Sequence, residues 1–350
     1  MFLHNRVNKK ELKARLQKDE IKRRTISFYR YVKINEPSLL RDILFKKWSE
    51  LNCLGRIYLA HEGINAQMSI PVEHFEIFKN SLYADERFAG TPLKLGVEDN
   101  GKSFYKLTIK VRDKVVADGI NDPEFDPSNT GKYLQAKEFN ETLSMPGTIV
   151  IDMRNHYESE VGHFEGAVLP DSDTFREELP KVVEMLKGKE DQKILMYCTG
   201  GIRCEKASAY MKYKGFNEVY HLYGGIIEYA RQIKEQNIPS KFIGKNFVFD
   251  ERLGERITED VIARCHQCDA HCDNHTNCAN DDCHLLFIQC EECKKKYNNC
   301  CSHKCMDIAA LPIEEQRKLR RGRIKEDSLS VYKSRLRPNL KEILKQHPGL

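Results

Sequence analysis

The sequence predicts a multidomain chain of mixed α/β and α+β class, and three observations carry that prediction. The first 120 positions follow a strand–helix–strand–strand–helix–strand rhythm of apolar and polar residues. Further on, the run Lys193-Ile-Leu-Met-Tyr197 reads as a buried strand and leads through a glycine-containing loop into a helical pattern. Finally, ten of the 13 cysteines crowd between Cys265 and Cys305. A chain of 350 residues has the length for two or three domains.

In the N-terminal region, Thr25 to Val32 alternates like a strand and Pro37 to Trp48 reads as an amphipathic helix. Gly55–Ala60 and Ile64–Ile70 read as strands around a turn at His61-Glu-Gly63. Val72 to Leu82 is a second helix and Lys106 to Val111 a final strand. The order βαββαβ is the ferredoxin-like pattern, with an acylphosphatase-like shape as one form of it, expected over residues 1–120. Such a fold says nothing by itself about function. The basic residues Lys106, Lys110 and Arg112 allow RNA binding, although alternating charge on a strand is more often a solvated face. His61-Glu62 is not a zinc-hydrolase motif, because Asn65 stands where the second histidine would be. It reads as a turn facing the central domain. Asp118 to Gly131 is rich in turn formers, so residues 121–145 read as a linker.

The central region carries the chemistry. Cys198-Thr-Gly-Gly-Ile-Arg203-Cys204 sits between the buried strand and a helix beginning near Glu205. A cysteine there meets converging backbone N–H groups and the positive end of a helix, which favour a thiolate. Gly200 and Gly201 leave room for a tight cradle, and Arg203 adds a cationic wall. Thr199, Ile202 and Cys204 complete the active-site loop, with Cys198 and Arg203 as its catalytic residues. Phosphatases of this topology place five residues between cysteine and arginine. Here only four separate Cys198 from Arg203, a smaller ring suited to a persulfide or a compact anion. Cys204 reads either as a resolving thiol or as a small core residue.

The stretch Asp152-Met-Arg154 to Gly166-Ala167 resembles the opening signature of the rhodanese family, and Tyr220 to Tyr229 its closing signature. With the Cys198 loop between them, the resemblance implies a rhodanese α/β domain with a parallel sheet over residues 146–240. Cys198 then lies at a strand's carboxyl end, where open α/β sheets place their sites.

The third region, residues 241–310, is a small Cys-rich module. Cys265-His-Gln-Cys268 and Cys290-Glu-Glu-Cys293 are two knuckles about 22 residues apart, the spacing of a zinc ribbon or a related module. They are the first choice for one structural zinc site. Cys272, Cys278, Cys283, Cys300, Cys301 and Cys305 are further candidate ligands, enough for a second ion. Disulfides or reduced thiols on a packed lobe are the alternative. The spacings do not copy the common ferredoxin patterns.

Residues 311–350 form a basic tail with a net charge of +6, against +5 for the whole chain. Its steepest run supplies Arg317, Lys318, Arg320, Arg321 and Arg323 as candidate RNA contacts. No apolar run approaches the length of a transmembrane helix, and the N-terminus lacks a signal-peptide core. A cytoplasmic location without membrane association follows as an expectation. No flavin or NAD fingerprint is present: Gly200-Gly201 and Gly224-Gly225 are not Gly-x-Gly-x-x-Gly.

Taken over nearly its full length, the chain resembles the bacterial oxygen-dependent tRNA uridine hydroxylases. The motifs that carry this are Cys198 to Lys206, Gly244 to Arg252 and Cys265-His-Gln-Cys268. The resemblance implies formation of 5-hydroxyuridine at the wobble position, with molecular oxygen as co-substrate and the active-site cysteine at Cys198. It also implies the tRNA anticodon region as partner, alongside a sulfur or electron donor protein. A persulfide-carrying sulfurtransferase and a non-catalytic tRNA-binding adaptor are the alternatives.

Overall fold

A computed structural model of the chain describes residues 9–321 and Leu340. The N-terminal unit contains α1 (Lys9–Lys18), β1 (Arg23–Tyr31), α2 (Pro37–Glu50), β2 (Leu54–Ala60), β3 (Gly63–Pro71), α3 (Phe75–Tyr83), β4 (Lys94–Leu95) and β5 (Leu107–Val111). Its sheet runs β4-β1-β3-β2-β5: the two-residue β4, too short to show periodicity, takes the fourth-strand place beside β1, and β5, expected as the final strand of the βαββαβ unit, is instead added at the other edge, parallel to β2. Pro37 opens α2 at a position where its missing N–H costs nothing. Phe78 of α3 packs against Phe28 of the sheet and Trp48 of α2 packs against Phe78, and both helices cover one face of the sheet. The opposite face carries Ser27, Tyr29, Arg56, Tyr58, Asn65 and Gln67, because side chains alternate across a strand.

The central unit is built from β6 (Lys132–Leu134), α4 (Ala136–Leu143), β7 (Ile149–Asp152), α5 (His156–Ser159), β8 (Gly162–Phe164), α6 (Phe175–Met185), β9 (Ile194–Tyr197), α7 (Ile202–Tyr213), β10 (Val219–Leu222) and α8 (Gly225–Gln236). Four strands form a parallel sheet in the order β6-β10-β9-β7. Ile194 and Met196 of β9 enter one core, while Leu195 and Tyr197 enter the other. Burial on both faces explains the unbroken apolar run. Residues 132–143, inside the stretch read as linker, form β6 and α4. The turn formers before them masked a three-residue strand too short to show periodicity. The capping box of Gln135 and Glu138 starts α4.

The Asp152-Met-Arg154 motif is explained by a buried ion pair. Arg154 donates to Asp152 at 2.8 and 2.6 Å and to the Gly162 carbonyl, and the Tyr197 hydroxyl donates to Asp152 at 2.8 Å. These bonds tie β7, β8 and β9 together beneath the Cys198 loop.

The chain continues through β11 (Phe242–Asn246), β12 (Glu255–Arg256), β13 (His275–Asn277), β14 (Leu286–Ile288), α9 (Glu291–Lys296), α10 (His303–Ala310) and α11 (Ile313–Arg321). β11 pairs antiparallel with β8 and with β12, which anchors the Cys-rich module to the central unit. Cysteines make up most of one small core of the module, around Phe287, while the other joins three cysteines to Ile288, Tyr297 and, from outside the Cys-rich segment, Tyr157, Val161 and Phe247. No helix among the described residues is long and apolar enough to cross a membrane.

Candidate active site and cysteine quartets

Cys198 leaves β9 at its carboxyl end and is fully buried. Its Sγ accepts a hydrogen bond from the Gly201 amide at 3.1 Å. Gly201 holds φ of +97°, a left-handed conformation that turns the loop into α7. The loop's carbonyls point the other way. Those of Cys198 and Thr199 accept from the Ile226 and Ile227 amides at 3.0 and 3.2 Å, so the start of α8 fixes the amides toward the sulfur. A Cβ on Gly225 would lie 2.5 Å from the Cys198 carbonyl oxygen, which is why the closing signature carries glycine there.

Burial alone would raise the Cys198 pKa. The Cys204 thiol, the Arg203 charge and the amides of Cys204 and Gly201 outweigh it and bring the value down to about 5. Cys198 is therefore a thiolate at neutral pH. The cost falls on Cys204, which lies in the first turn of α7. Burial and the neighbouring thiolate hold its thiol protonated, well above the usual range.

Arg203 is more than a cationic wall. Its guanidinium is gripped by Glu158 in a two-pronged ion pair, at 2.6 and 2.8 Å, and also donates to the Thr199 hydroxyl at 3.3 Å. Thr199 in turn donates to Glu158 at 3.2 Å. Glu158 is fully buried on α5 and is held ionised mainly by Arg203 against the opposing effect of burial. Its place in the opening signature was visible in the sequence, but its role as the partner of Arg203 was not. Gly200 and Ile202 line the cavity beside Cys198.

The N-terminal unit closes the site. Lys94 of β4 donates to the Gly200 carbonyl at 2.8 Å and lies 4.4 Å from the Tyr29 ring centroid. Burial lowers its pKa to about 8, against the opposing pull of Cys198, Glu205 and Glu228. Tyr29 donates to Glu205 at 2.8 Å and Tyr31 to the Ile202 carbonyl at 3.3 Å. Lys206, buried on α7, bridges Glu62 at 2.7 Å and Asp118 at 2.5 Å. The His61-Glu62 turn thus faces the central domain through its carboxylate. Between the two units lies a 610 Å³ cavity, with Cys198 and Arg203 on one wall and Tyr29, Tyr58, Asn65 and Gln67 on the other. A lone lysine on a two-residue strand gave no sequence signal.

In the C-terminal module, the sulfurs of Cys265, Cys268, Cys290 and Cys293 all lie within 4.8 Å of one another, and so do those of Cys278, Cys283, Cys301 and Cys305. Sγ–Sγ separations of 3.6 Å (Cys268–Cys290), 3.7 Å (Cys283–Cys301) and 3.6 Å (Cys301–Cys305) match the edge of a tetrahedron. Four thiolates around zinc at about 2.3 Å would be about 3.8 Å apart. Both groups can hold a metal ion. Cys272 and Cys300 stand outside them: Cys272 accepts from the Asn274 amide and Cys300 contacts the Asn298 carbonyl. The two quartets alternate along the chain, each taking one pair of ligands from either side of a pair belonging to the other.

On α11, Arg317 pairs with Glu314 at 2.6 Å and Arg320 approaches Asp281 at 3.9 Å, while Lys318 is exposed. Arg321 ends the helix, and Arg323 lies outside the described residues.

Three family descriptions match in sequence along the chain. Residues 23–115 match the UPF0176 acylphosphatase like domain, 135–232 the Rhodanese-like domain and 243–306 the Rhodanase C-terminal family. Proteins called tRNA uridine(34) hydroxylase are similar over nearly their whole length. That of Escherichia fergusonii is 57% identical over 97% of this chain and 97% of its own. That of Salmonella arizonae is 58% identical over 97% of each chain. The Cronobacter sakazakii protein is 56% identical over 96% of this chain and 97% of its own. With identity of this order across all three units, the chain belongs to the tRNA uridine(34) hydroxylase family.

Proposed function

We propose that this protein hydroxylates the wobble uridine of tRNA at C5, as an oxygen-dependent oxidoreductase acting in the cytoplasm. The observation that carries the reading is the Cys198 thiolate, cradled by amides and opening onto a cavity large enough for a nucleotide. A wobble base is already single-stranded, so little stacking is lost when it enters.

The chain's residues suit covalent activation of the base. The thiolate adds to C6 of uracil, and the electron pair moves onto C5 as an enolate. Molecular oxygen supplies the hydroxyl oxygen, and its second atom leaves as water with two electrons and two protons from a donor. Loss of the C5 proton and expulsion of the Cys198 thiolate then restore the aromatic ring. Arg203 and the loop amides stabilise the sulfur anion before and after the addition. The two cysteine quartets hold structural zinc, and the basic surface around α11 contacts the anticodon arm. The four-residue spacing within the cradle also suits a persulfide, which keeps sulfur transfer as a second reading.

The test is nucleoside mass spectrometry on tRNA from a deletion strain complemented with wild type or Cys198→Ser. Loss of 5-hydroxyuridine-derived nucleosides, restored only by wild type, is the expected result. Restoration by the serine variant would remove the sulfur mechanism. Intact hydroxylated uridines with missing thiolated nucleosides would favour sulfur transfer.

A further inference from the structure

We propose that Asn65 selects uracil over cytosine, by presenting across the cavity a hydrogen-bond acceptor whose polarity the fold has fixed. The inference rests on the hydroxylase reading and adds the residue that reads the base.

An asparagine amide can ordinarily rotate and offer either its oxygen or its NH₂ group. Asn65 has lost that freedom. Its Nδ2 donates to the Val115 carbonyl at 3.3 Å, and a carbonyl can only accept. Val115 is itself held: it is buried, and its amide donates to Glu62 at 2.8 Å. Glu62 is bound by Lys206 of α7, the helix that begins at the Cys198 loop. The oxygen of Asn65 is therefore left to face the cavity as an acceptor, in a position tied to the catalytic loop.

The chemistry of the base supplies the other half. In a pyrimidine ring C6 lies directly across from N3. When the C5–C6 edge faces Cys198, N3 points at the opposite wall, where Asn65 lines the cavity. Uracil carries a hydrogen on N3, flanked by two carbonyl acceptors. Cytosine has a bare lone pair at N3, which a fixed acceptor repels. Donors for the flanking carbonyls stand on the same sheet face. Arg56 and Gln67 are cross-strand partners, and so are Gln67 and Ser27. The Gln67 amide has no hydrogen-bond partner among the described residues, and the buried Ser27 hydroxyl has none either. Such a polar row opposite a nucleophile is expected of a base-reading wall: the buried Ser27 hydroxyl is costly until a ligand satisfies it, and the half-buried Gln67 amide stands free in the cavity to pair.

The experiment uses the full chain and two anticodon stem-loop RNAs that differ only in uridine or cytidine at the wobble position. Binding is read by fluorescence anisotropy, and hydroxylation of the uridine RNA by mass spectrometry. Wild type is expected to bind the uridine RNA about tenfold more tightly or better. Asn65→Leu should weaken uridine RNA by about tenfold and leave cytidine RNA unchanged. Asn65→Thr suits a strand and offers a hydroxyl that can donate or accept. It should bring the two affinities together, and it decides the question should the leucine variant fail to fold. A wild type without preference, or variants that keep the wild-type ratio, would overturn the proposal. Wild type that prefers the uridine RNA but never hydroxylates it would count against the hydroxylase reading and leave Asn65's role standing.

Discussion

Lys94 of the N-terminal sheet donates a hydrogen bond to the carbonyl of Gly200 inside the Cys198 loop, at 2.8 Å. The Cys198 loop thus takes one of its supports from a different folding unit, and that support is a buried cation. With Cys198 ionising near 5 and Lys94 losing its proton near 8, activity should rise through the first value and fall through the second. Lys94→Arg should remove the alkaline limb, and Lys94→Met should lower activity across the range. A pH–rate profile on a purified tRNA substrate checks both.

Glu158 and Arg203 form a buried ion pair at 2.6 Å, the strongest pairing either charge makes, with Arg154 a further influence on Glu158 and Cys198 on Arg203. Glu158→Gln removes the guanidinium's main buried counter-charge and should cost about 3–5 kcal/mol of stability. Chemical denaturation of the variant measures it, and a change below about 1 kcal/mol would mean the pair is not structurally important.

Cys204 lowers the pKa of Cys198 through its thiol and its amide. Cys204→Ala keeps the amide and removes the thiol, so the Cys198 titration should move upward from about 5. The pH dependence of iodoacetamide labelling reads this directly. The linked stability change has a definite sign. A depressed thiol pKa contributes stability above the unfolded value of about 8.5, and that contribution is lost as pH falls through the folded value.

Glu178 of α6 is fully buried, and neither carboxylate oxygen has a hydrogen-bond partner among the described residues. Burial raises its pKa well above the usual range. Arg203 opposes this, while Asp152, Glu158 and Cys198 reinforce it. The folded protein keeps this proton after the unfolded chain has released it near 4.3, so stability is lost as pH rises above that point. Glu178→Gln should therefore raise the melting temperature at pH 8 and leave it unchanged near pH 4. Scanning calorimetry at the two pH values decides it.

Two bound metal ions per chain are expected from elemental analysis. Cys268→Ser should reduce the content and so should Cys283→Ser, whereas Cys272→Ser should leave it at two, because Cys272 belongs to neither quartet.

Much of this was legible in the sequence. The βαββαβ order, the buried strand before Cys198 and the Cys265–Cys293 quartet all follow from periodicity and spacing, which are local properties. Glu158, Lys94 and Asn65 were not legible as candidate site residues. Each acts through a partner far away in sequence: Glu158 through Arg203, Lys94 through Gly200, Asn65 through Val115. A half-buried asparagine and a lysine on a short edge strand look ordinary until the units pack. A second ion was expected, but which four of the six remaining cysteines would hold it was not legible, since Cys278, Cys283, Cys301 and Cys305 lack the Cys-x-x-Cys turn that marks the first quartet.

The alternation of the two quartets constrains how the module comes into being. As the chain emerges from the ribosome, Cys265, Cys268, Cys278 and Cys283 appear before Cys290, so the first four-thiol set drawn from the two quartets mixes them. An ion captured then has the wrong ligands, and Cys272 offers a further competing thiol nearby. Native pairing must wait for Cys293 and then Cys305, so any ion bound early would have to trade ligands as synthesis proceeds. Metal–thiolate bonds that exchange would make that sorting feasible, and a chain made without metal would lack the crosslinks its small cysteine-lined cores rely on.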